Sequence, residues 1–461
     1  MAMTLPSQGR GFGFKTAFLL TQKTWEKVVL LRKIRKAGES PDRSINMASC
    51  KSPYEPREDS TLLESYVREY AKGNVLDMGT GSGIQAITAA HSNKVESVLA
   101  ADVQKSAIDY CRKCIKNRKI KFIISNLFDN IKNTRTKSGT NSVGNKTLKI
   151  KKFDAIIFNP PYLPQELKVK DLTLEGGKKG YEVIERFLNE ANNYLEPGGI
   201  ILIVFSSLTK KEKVDGFIRN NLLEFELLEK QHYFFEDLYV YKIWKSDILK
   251  ELEKNDIKSI KYFAKGKRGL VFTGVYKGKK AGVKINNPES SAIMRVENEA
   301  KFLKLLNKKG IGPKLLLHGK GFLAYGFVEG HNIADFFNNL ENNNKNANKN
   351  KIIINIIKKT MKQLYIMDKL RINKQEMSHP QKHIIIEKSN NPVLIDFERC
   401  KYTLNPGNVT QFCDFLASNN MLTILKDNKI EINKENMIEA ARRYKKQRNK
   451  NNFNNILNLI N

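Results

Sequence analysis

The sequence lacks a cysteine framework. Its five cysteines, Cys50, Cys111, Cys114, Cys400 and Cys413, are odd in number and follow no disulfide spacing. That usage belongs to a reducing, cytoplasmic compartment rather than to a small secreted domain. Cys111-Arg-Lys-Cys114 is a lone C-x-x-C inside a helical pattern, without the second pair a zinc site needs. Also missing is any apolar run near the roughly 18 residues required to span a bilayer, so no membrane partner is expected. Acidic residues are short: 80 Lys and Arg face 48 Asp and Glu, a net +32 over 461 residues. A surplus of this sign suits acidic partners such as RNA or the ribosome. The chain is equally crowded with Asn, Lys and Ile, as in the run from Asn338, and a biased base composition accounts for the charge just as well. The length implies two or three domains with sizeable cores.

What is present begins with a basic extension, residues 1–46, ahead of a plausible start at Met47. Leu62, Leu63, Tyr66, Val67 and Tyr70 then follow helical spacing behind the capping-type residues Asp59 and Ser60. A strand, Asn74 to Asp77, runs into Met78-Gly79-Thr80-Gly81-Ser82-Gly83, and Ile84 to Ala90 continues as a helix. The glycines permit a tight turn and let a ligand lie close against the backbone. Nicotinamide enzymes use related loops, but Asp77 points elsewhere, because a carboxylate there repels a pyrophosphate and suits a cationic amine. A second strand, Ser97 to Ala101, ends at Asp102, where an acid can accept hydrogen bonds from both ribose hydroxyls. A third, Lys121 to Ile124, ends at Ser125-Asn126-Leu127-Phe128. Lys132 to Lys149 reads as a surface loop.

Next comes Ala155-Ile156-Ile157-Phe158, an unbroken apolar run of the kind that forms a strand buried on both faces. It stops at Asn159-Pro160-Pro161-Tyr162, where two prolines remove backbone donors and force an extended turn. Taken alone this is either a proline-rich loop or a catalytic turn past a strand's carboxyl end. A helix from Gly180 to Leu195, a turn at Pro197-Gly198-Gly199 and a strand from Ile200 follow. A hairpin closes this part, with strands near Glu224–Tyr233 and Tyr239–Trp244.

The order of these pieces resembles class I S-adenosylmethionine-dependent methyltransferases. YEPREDS from Tyr54, NPPY from Asn159 and DLTLEGGKKG from Asp171 resemble the HemK/PrmC-like protein-glutamine N5-methyltransferases, especially their release-factor branch, over Tyr54 to Trp244. The resemblance implies an α/β, Rossmann-like fold with a mostly parallel sheet and a terminal antiparallel hairpin. It further implies that Asp77, Gly79, Gly81 and Gly83, with Ser60 nearby, hold the methionine part of S-adenosylmethionine. Asp102 would bind the ribose, and Asn126 with Leu127 would border the adenine. Relatives often work with a small zinc-ribbon activator subunit.

The chemistry follows from the acceptor. A carboxamide nitrogen is a poor nucleophile because its lone pair is delocalised into the carbonyl. The Asn159 side-chain oxygen and the Pro160 carbonyl can each accept one of its N–H groups, which orients the lone pair and stabilises charge growing on nitrogen. Tyr162 can lie against the planar amide, and Pro161 holds the turn. The same logic fits the exocyclic amine of adenine. Base-flipping enzymes need extra surface for readout, and between Tyr54 and Trp244 no module of that size is evident, which favours a protein substrate.

After Trp244 a charged segment, read as a helix from Ser246 to Phe263, leads into a different pattern. A glycine-containing hairpin, Gly266 and Gly269 to Tyr276, precedes the strand Ala281–Ile285 and a helix from Met294 to Gly310. Phe322 to Glu329 and Val393-Leu394-Ile395-Asp396-Phe397-Glu398 follow. This order resembles an α+β protein-kinase-like fold, closest to archaeal RIO-type proteins, over Tyr262 to Phe415. That likeness implies ATP and magnesium sites. Lys284 would pair with the phosphates and with Glu299, Glu297 being a competitor, and Asp396 would hold the metal with His383. An H-R-D-type catalytic loop is absent: Ser378 occupies the catalytic Asp position, and Glu376 is a candidate substitute. A degenerate, non-catalytic domain is the competing reading. The expected division is therefore 1–46, 47–246 and 247–461, the Lys/Asn-rich tail from Lys426 carrying one helical stretch.

Overall fold

The computed structural model describes residues 56–131, 152–162, 177–233, 236–265, 269–286, 295–339 and 349–460. The N-terminal extension, the Lys132–Lys149 loop, the DLTLEGGKKG segment up to Gly176 and Gly266 lie outside them. Two compact units divide the chain, residues 1–134 with 157–159, and residues 135–156 with 160–461.

The first unit is a parallel α/β layer. Helix α1 (Glu58–Tyr70) precedes β1 (Gly73–Met78), and β1 runs through the glycine loop into α2 (Ile84–Ala90). Then come β2 (Val95–Asp102), α3 (Lys105–Cys114) and β3 (Ile120–Ile124). β1 pairs with β2, and β2 with β3, all parallel, so the carboxyl ends Asp77, Asp102 and Ile124 lie on one edge. Val75, Leu76, Ala100 and Ala101 are buried, as a sheet covered on both faces requires. β4 (Phe153–Phe158) lies beside β1 in a seven-stranded sheet of order β3-β2-β1-β4-β5-β7-β6.

The second unit carries the antiparallel part of that sheet. α4 (Glu182–Ala191) leads to β5 (Leu195–Ser206), α5 (Lys211–Asn220) and the hairpin β6 (Leu223–His232) and β7 (Asp237–Lys245). Pro197-Gly198-Gly199, expected as a turn, falls inside the β5 span, where Gly199 passes close to the Phe153 carbonyl with no room for a side chain. The expected helix from Ser246 to Phe263 is a correction. Helix α6 ends at Lys254 (Asp247–Lys254), and Ile257–Lys265 is a strand, β8. Lys245 is fully buried at the end of β7, and its ammonium reaches Glu253 on α6 at 2.6 Å. Burial pulls that ammonium down to about 8 against the pull of Glu253.

β8 opens a five-stranded antiparallel sheet of order β11-β12-β10-β9-β8, with β9 (Gly269–Tyr276), β10 (Lys279–Asn286), β11 (Leu315–Gly319) and β12 (Phe322–Gly326). Helix α7 (Arg295–Leu306) packs Val296 and Ala300 with Leu323 of that sheet. A helical core follows around the 21-residue helix Lys349–Lys369. The tail from Lys426 corrects the sequence reading: it carries two helices, Lys434–Lys446 and Lys450–Asn458, where one was expected, and Met437, Tyr444, Phe453 and Ile456 belong to this core. Among the described residues, no helix is long and apolar enough to cross a membrane.

Candidate active site

The glycine loop after β1 bends through three left-handed glycines, Gly79 (φ +65°), Gly81 (φ +52°) and Gly83 (φ +82°), conformations that side chains resist. They do different work. A Cβ on Gly79 would sit 3.5 Å from the Phe158 ring and 3.8 Å from the Asn159 carbonyl oxygen, so this glycine faces the end of β4. Gly81 donates its N–H to Asp102 Oδ2 at 3.0 Å and accepts from the Cys111 thiol at 3.4 Å. Gly83, expected to touch the cofactor, also has a packing constraint, since a Cβ there would lie 2.4 Å from Ile115 Cδ1.

Asp77 is buried at the end of β1, and its Oδ2 accepts from the Thr80 hydroxyl at 2.6 Å. Burial is the largest influence on it and pushes its carboxyl up to about 7, against hydrogen bonds from Thr80 and the Ala86 backbone; nearby Asp102 adds to the rise. No cation pairs with Asp77 among the described residues. Asp102 is anchored by Gly81 N–H and, at 2.8 Å, by Gln104 N–H, leaving further lone pairs for hydroxyl donors. Asn126 is exposed just past β3, and buried Leu127 takes a left-handed φ of +48° while its carbonyl accepts from Ser125 at 2.6 Å. Cys111 is a buried thiol pushed up to about 12 by burial and by Asp77 and Asp102. It serves as a donor to the loop, not as a zinc ligand.

At the end of β4, Asn159 is half-buried, and its side-chain Nδ2 donates to Ser60 Oγ at 3.2 Å. Ser60 is buried at the start of α1. The sequence placed Ser60 beside the cofactor's methionine part; its partner is Asn159, ninety-nine positions away, and no local pattern announces that bond. Pro160 is buried, and Pro161 and Tyr162 are half-buried.

The comparisons with known proteins follow this geometry. A family model described as "Methyltransferase small domain" matches residues 57–235. A "Putative protein N5-glutamine methyltransferase" of Methanocaldococcus jannaschii is 31% identical over 199 residues, which cover 42% of this chain and 91% of that protein. The chain belongs to the protein N5-glutamine methyltransferase family. A "Release factor glutamine methyltransferase" of Rhodopirellula baltica is 30% identical over 148 residues, 29% of this chain and 45% of that protein. Among solved structures, the E. cuniculi Mtq2–Trm112 complex, described as responsible for methylating the eRF1 termination factor, is 24% identical with a TM-score of 0.31, covering 42% of this chain and 98% of that one.

The methyltransferase depends on S-adenosylmethionine, and its residues fit that group. Asp77 is a buried carboxylate with no cation paired to it among the described residues, Gly79 faces the end of β4 at Asn159, and the hydroxyl of Ser82 inside the loop is buried with no hydrogen-bond partner among the described residues.

A second constellation lies in the other half of the chain. Lys284 on β10 reaches three carboxylates, Glu299 on α7 and Asp396 at 2.8 Å each and Glu398 at 3.0 Å. Glu297, the competitor, accepts instead from Gly321 N–H at 2.9 Å. A Cβ on Gly269 would meet the Lys284 stem at 3.3 Å. Buried Lys374 donates to the Asp396 carbonyl at 2.6 Å, and Phe397 N–H donates to Glu299 at 3.1 Å. Burial works to raise the Asp396 carboxyl, but Lys284 and Lys374 outweigh it and hold it at about 2. Likewise burial opposes the charge on Lys284, yet its three carboxylates hold it well above the usual ammonium range. His383 lies 3.7 Å from Asp396 and 3.3 Å from Glu376, which also pairs with Arg399. Oxygens of Glu299, Asp396 and Glu398 lie within 4.8 Å of one another, a group that excludes His383. Sequence reasoning missed Glu398 and Lys374; only the glutamate in place of the D-F-G glycine offered a signal.

Proposed function

We propose that this methyltransferase places a methyl group on the side-chain nitrogen of a glutamine in a translation release factor. The observation that carries the reading is the Asn159 carboxamide, whose Nδ2 is engaged by Ser60 while its oxygen makes no hydrogen bond among the described residues. An acceptor oxygen held in that way can take one N–H of a planar amide, with the Pro160 carbonyl taking the other. S-adenosylmethionine supplies an electrophilic methyl whose transfer breaks its S–C bond, forms the N–C bond and releases the displaced N–H proton to water. Asp77 holds the cationic amine, Asp102 the ribose, and Asn126 with Leu127 border the base. Tyr162 can lie against the planar amide, and no general base is required before transfer because the nitrogen loses its proton afterwards.

The choice of release factor follows from the resemblance of the YEPREDS, NPPY and DLTLEGGKKG segments and from the names of relatives such as the Rhodopirellula enzyme. A relative named for ribosomal protein uL3 in Francisella tularensis, 27% identical, makes a ribosomal glutamine the competing acceptor. Labelled S-adenosylmethionine, offered with release factor, uL3 protein or DNA, discriminates. Label in a release-factor glutamine supports the reading, and label only in adenine overturns it. A small zinc-ribbon partner, ribosome association through the basic surface and a cytoplasmic setting are part of the same proposal.

We further infer that residues 247–461 form a kinase-like ATP-binding domain, following a basic extension over 1–46 and the methyltransferase over 47–246. Gly266 and Gly269 would cover the phosphates, Lys284 with Glu299 would meet them, and Asp396 with His383 would face magnesium. The Lys284–Glu299–Asp396 arrangement supports nucleotide binding. Magnesium-dependent ATP binding measured by calorimetry, and its loss in Asp396→Asn, tests this; no heat with either ATP or ATP plus magnesium refutes it.

A further inference from the structure

The hydrogen bonds at the start of α1 do more than seal a helix end. We propose that Ser60 is a positioning residue for methyl transfer, dictating which end of the Asn159 carboxamide faces the acceptor. This deepens the glutamine reading and rests on it.

The direction of each bond is determined by chemistry. The Ser60 hydroxyl donates its only proton to Asp59 Oδ1 at 3.2 Å. Its lone pairs are then presented to Asn159, and they receive Nδ2 at 3.2 Å. A carboxamide turned end for end would set Oδ1 against Ser60 Oγ with no proton between them. In a site where Ser60 is 1% and Asp59 6% exposed, two facing acceptors without water cost about 1–3 kcal/mol. The oxygen of Asn159 is therefore directed away from Ser60.

Ser60 itself cannot drift. Its N–H donates to Asp59 Oδ1 at 2.6 Å, and its carbonyl accepts from Gln85 Nε2 on α2 at 2.8 Å. The chain Asp59–Ser60–Asn159 also passes negative charge toward the amide oxygen, the sign required as positive charge grows on an acceptor nitrogen. Without Ser60 the Asn159 carboxamide would rotate freely and spend part of its time presenting a donor to a donor.

The experiment uses the full chain with whichever acceptor the wild type methylates, so failure to find a glutamine acceptor is scored against the functional reading and not against Ser60. Ser60→Ala is expected to lower kcat about 10- to 100-fold with cofactor affinity, measured by calorimetry, changed less than about threefold. Ser60→Thr, which retains the hydroxyl, restores most of the rate. In Asn159→Ala, adding Ser60→Ala costs nothing further in rate, because the group it positions is gone. Should Ser60→Ala fail to fold, Ser60→Cys keeps the volume with a poor acceptor and is read in its place. An unchanged kcat, a loss of cofactor affinity that accounts for the whole defect, or additive losses in the double variant each overturn the proposal.

Discussion

Two carboxylates in this chain have opposite fates. Asp77 is buried with only neutral hydrogen-bond partners among the described residues, and burial drives its carboxyl up to about 7. Asp396 is half-buried, and there Lys284 and Lys374 outweigh the cost of burial and hold it at about 2. The difference lies in the supply of positive charge. Around Asp396 the chain provides its own ammonium groups. At Asp77 none pairs with the carboxylate among the described residues. A carboxylate kept short of a counter-charge marks a place for a cationic ligand, while a saturated one marks structure or a site that opens only when something displaces an internal partner.

The largest test removes the internal cation. Lys284→Ala leaves Glu299, Asp396 and Glu398 facing one another in a buried setting. Its expected cost is about 3–5 kcal/mol, read as a lowered denaturation midpoint, with Lys284→Ala/Asp396→Asn recovering part of it. A neutral outcome would mean that the cluster takes up water and is not internally saturated.

Next in size is Asn159→Ala. Transfer should drop about 10²- to 10³-fold while cofactor affinity stays near the wild-type value. Equal loss of both would place Asn159 on the cofactor and not on the acceptor.

The two carboxylates also predict opposite pH behaviour. Because Asp77 sits above its ordinary 3.8, its contribution to stability is complete at low pH and is lost as pH rises through about 7. Asp396 sits below 3.8, so its contribution is present at neutral pH and is lost only as pH falls toward about 2. The proposed contact with the cofactor's amine requires ionised Asp77. Its affinity should therefore weaken by up to about tenfold per pH unit below 7, a slope that calorimetry in Asp77→Asn should find abolished. A flat wild-type profile between pH 6 and 8 would break the contrast.

The smallest effect concerns the loop. Cys111→Ala removes the thiol donor to the Gly81 carbonyl and should cost about 0.5–1.5 kcal/mol, with a modest fall in cofactor affinity. No change in either would leave the thiol as simple packing.

How much of this could be read from the chain depends on range. Asp77, the glycines and Asp102 were legible because a strand, its turn and the next strand are local, and parallel pairing brings successive carboxyl ends to one edge. Asn159 was legible from its prolines. The bond from Ser60 to Asn159 was not, since nothing in either neighbourhood refers to the other. The close approach of Gly83 to Ile115 was not legible either, because a glycine that admits a ligand and one that admits a neighbouring side chain look alike in sequence. β8 was taken for a helix because its buried residues, Ile257 and Ile260, are three apart as on a helix face, where the pairing with β9 slips register. In the tail, Met437, Ala441, Tyr444 and Phe453 are core residues spaced among Lys and Asn, and the polar background hid one of its two helices. Glu398 and Lys374 gather at Asp396 through tertiary packing alone.

The Lys245–Glu253 bond bears on how this chain can be divided. A cut after residue 246, the boundary that the family resemblance suggests, severs the sheet's last strand from the carboxylate, Glu253, that its buried ammonium touches at 2.6 and 2.8 Å. The fragment would have to shed that proton or open the strand end to water, and both make it fragile. Ending eight residues later, after Lys254, retains the counter-charge. Helix α6 thereby serves the strand that precedes it, and a useful boundary lies past the helix.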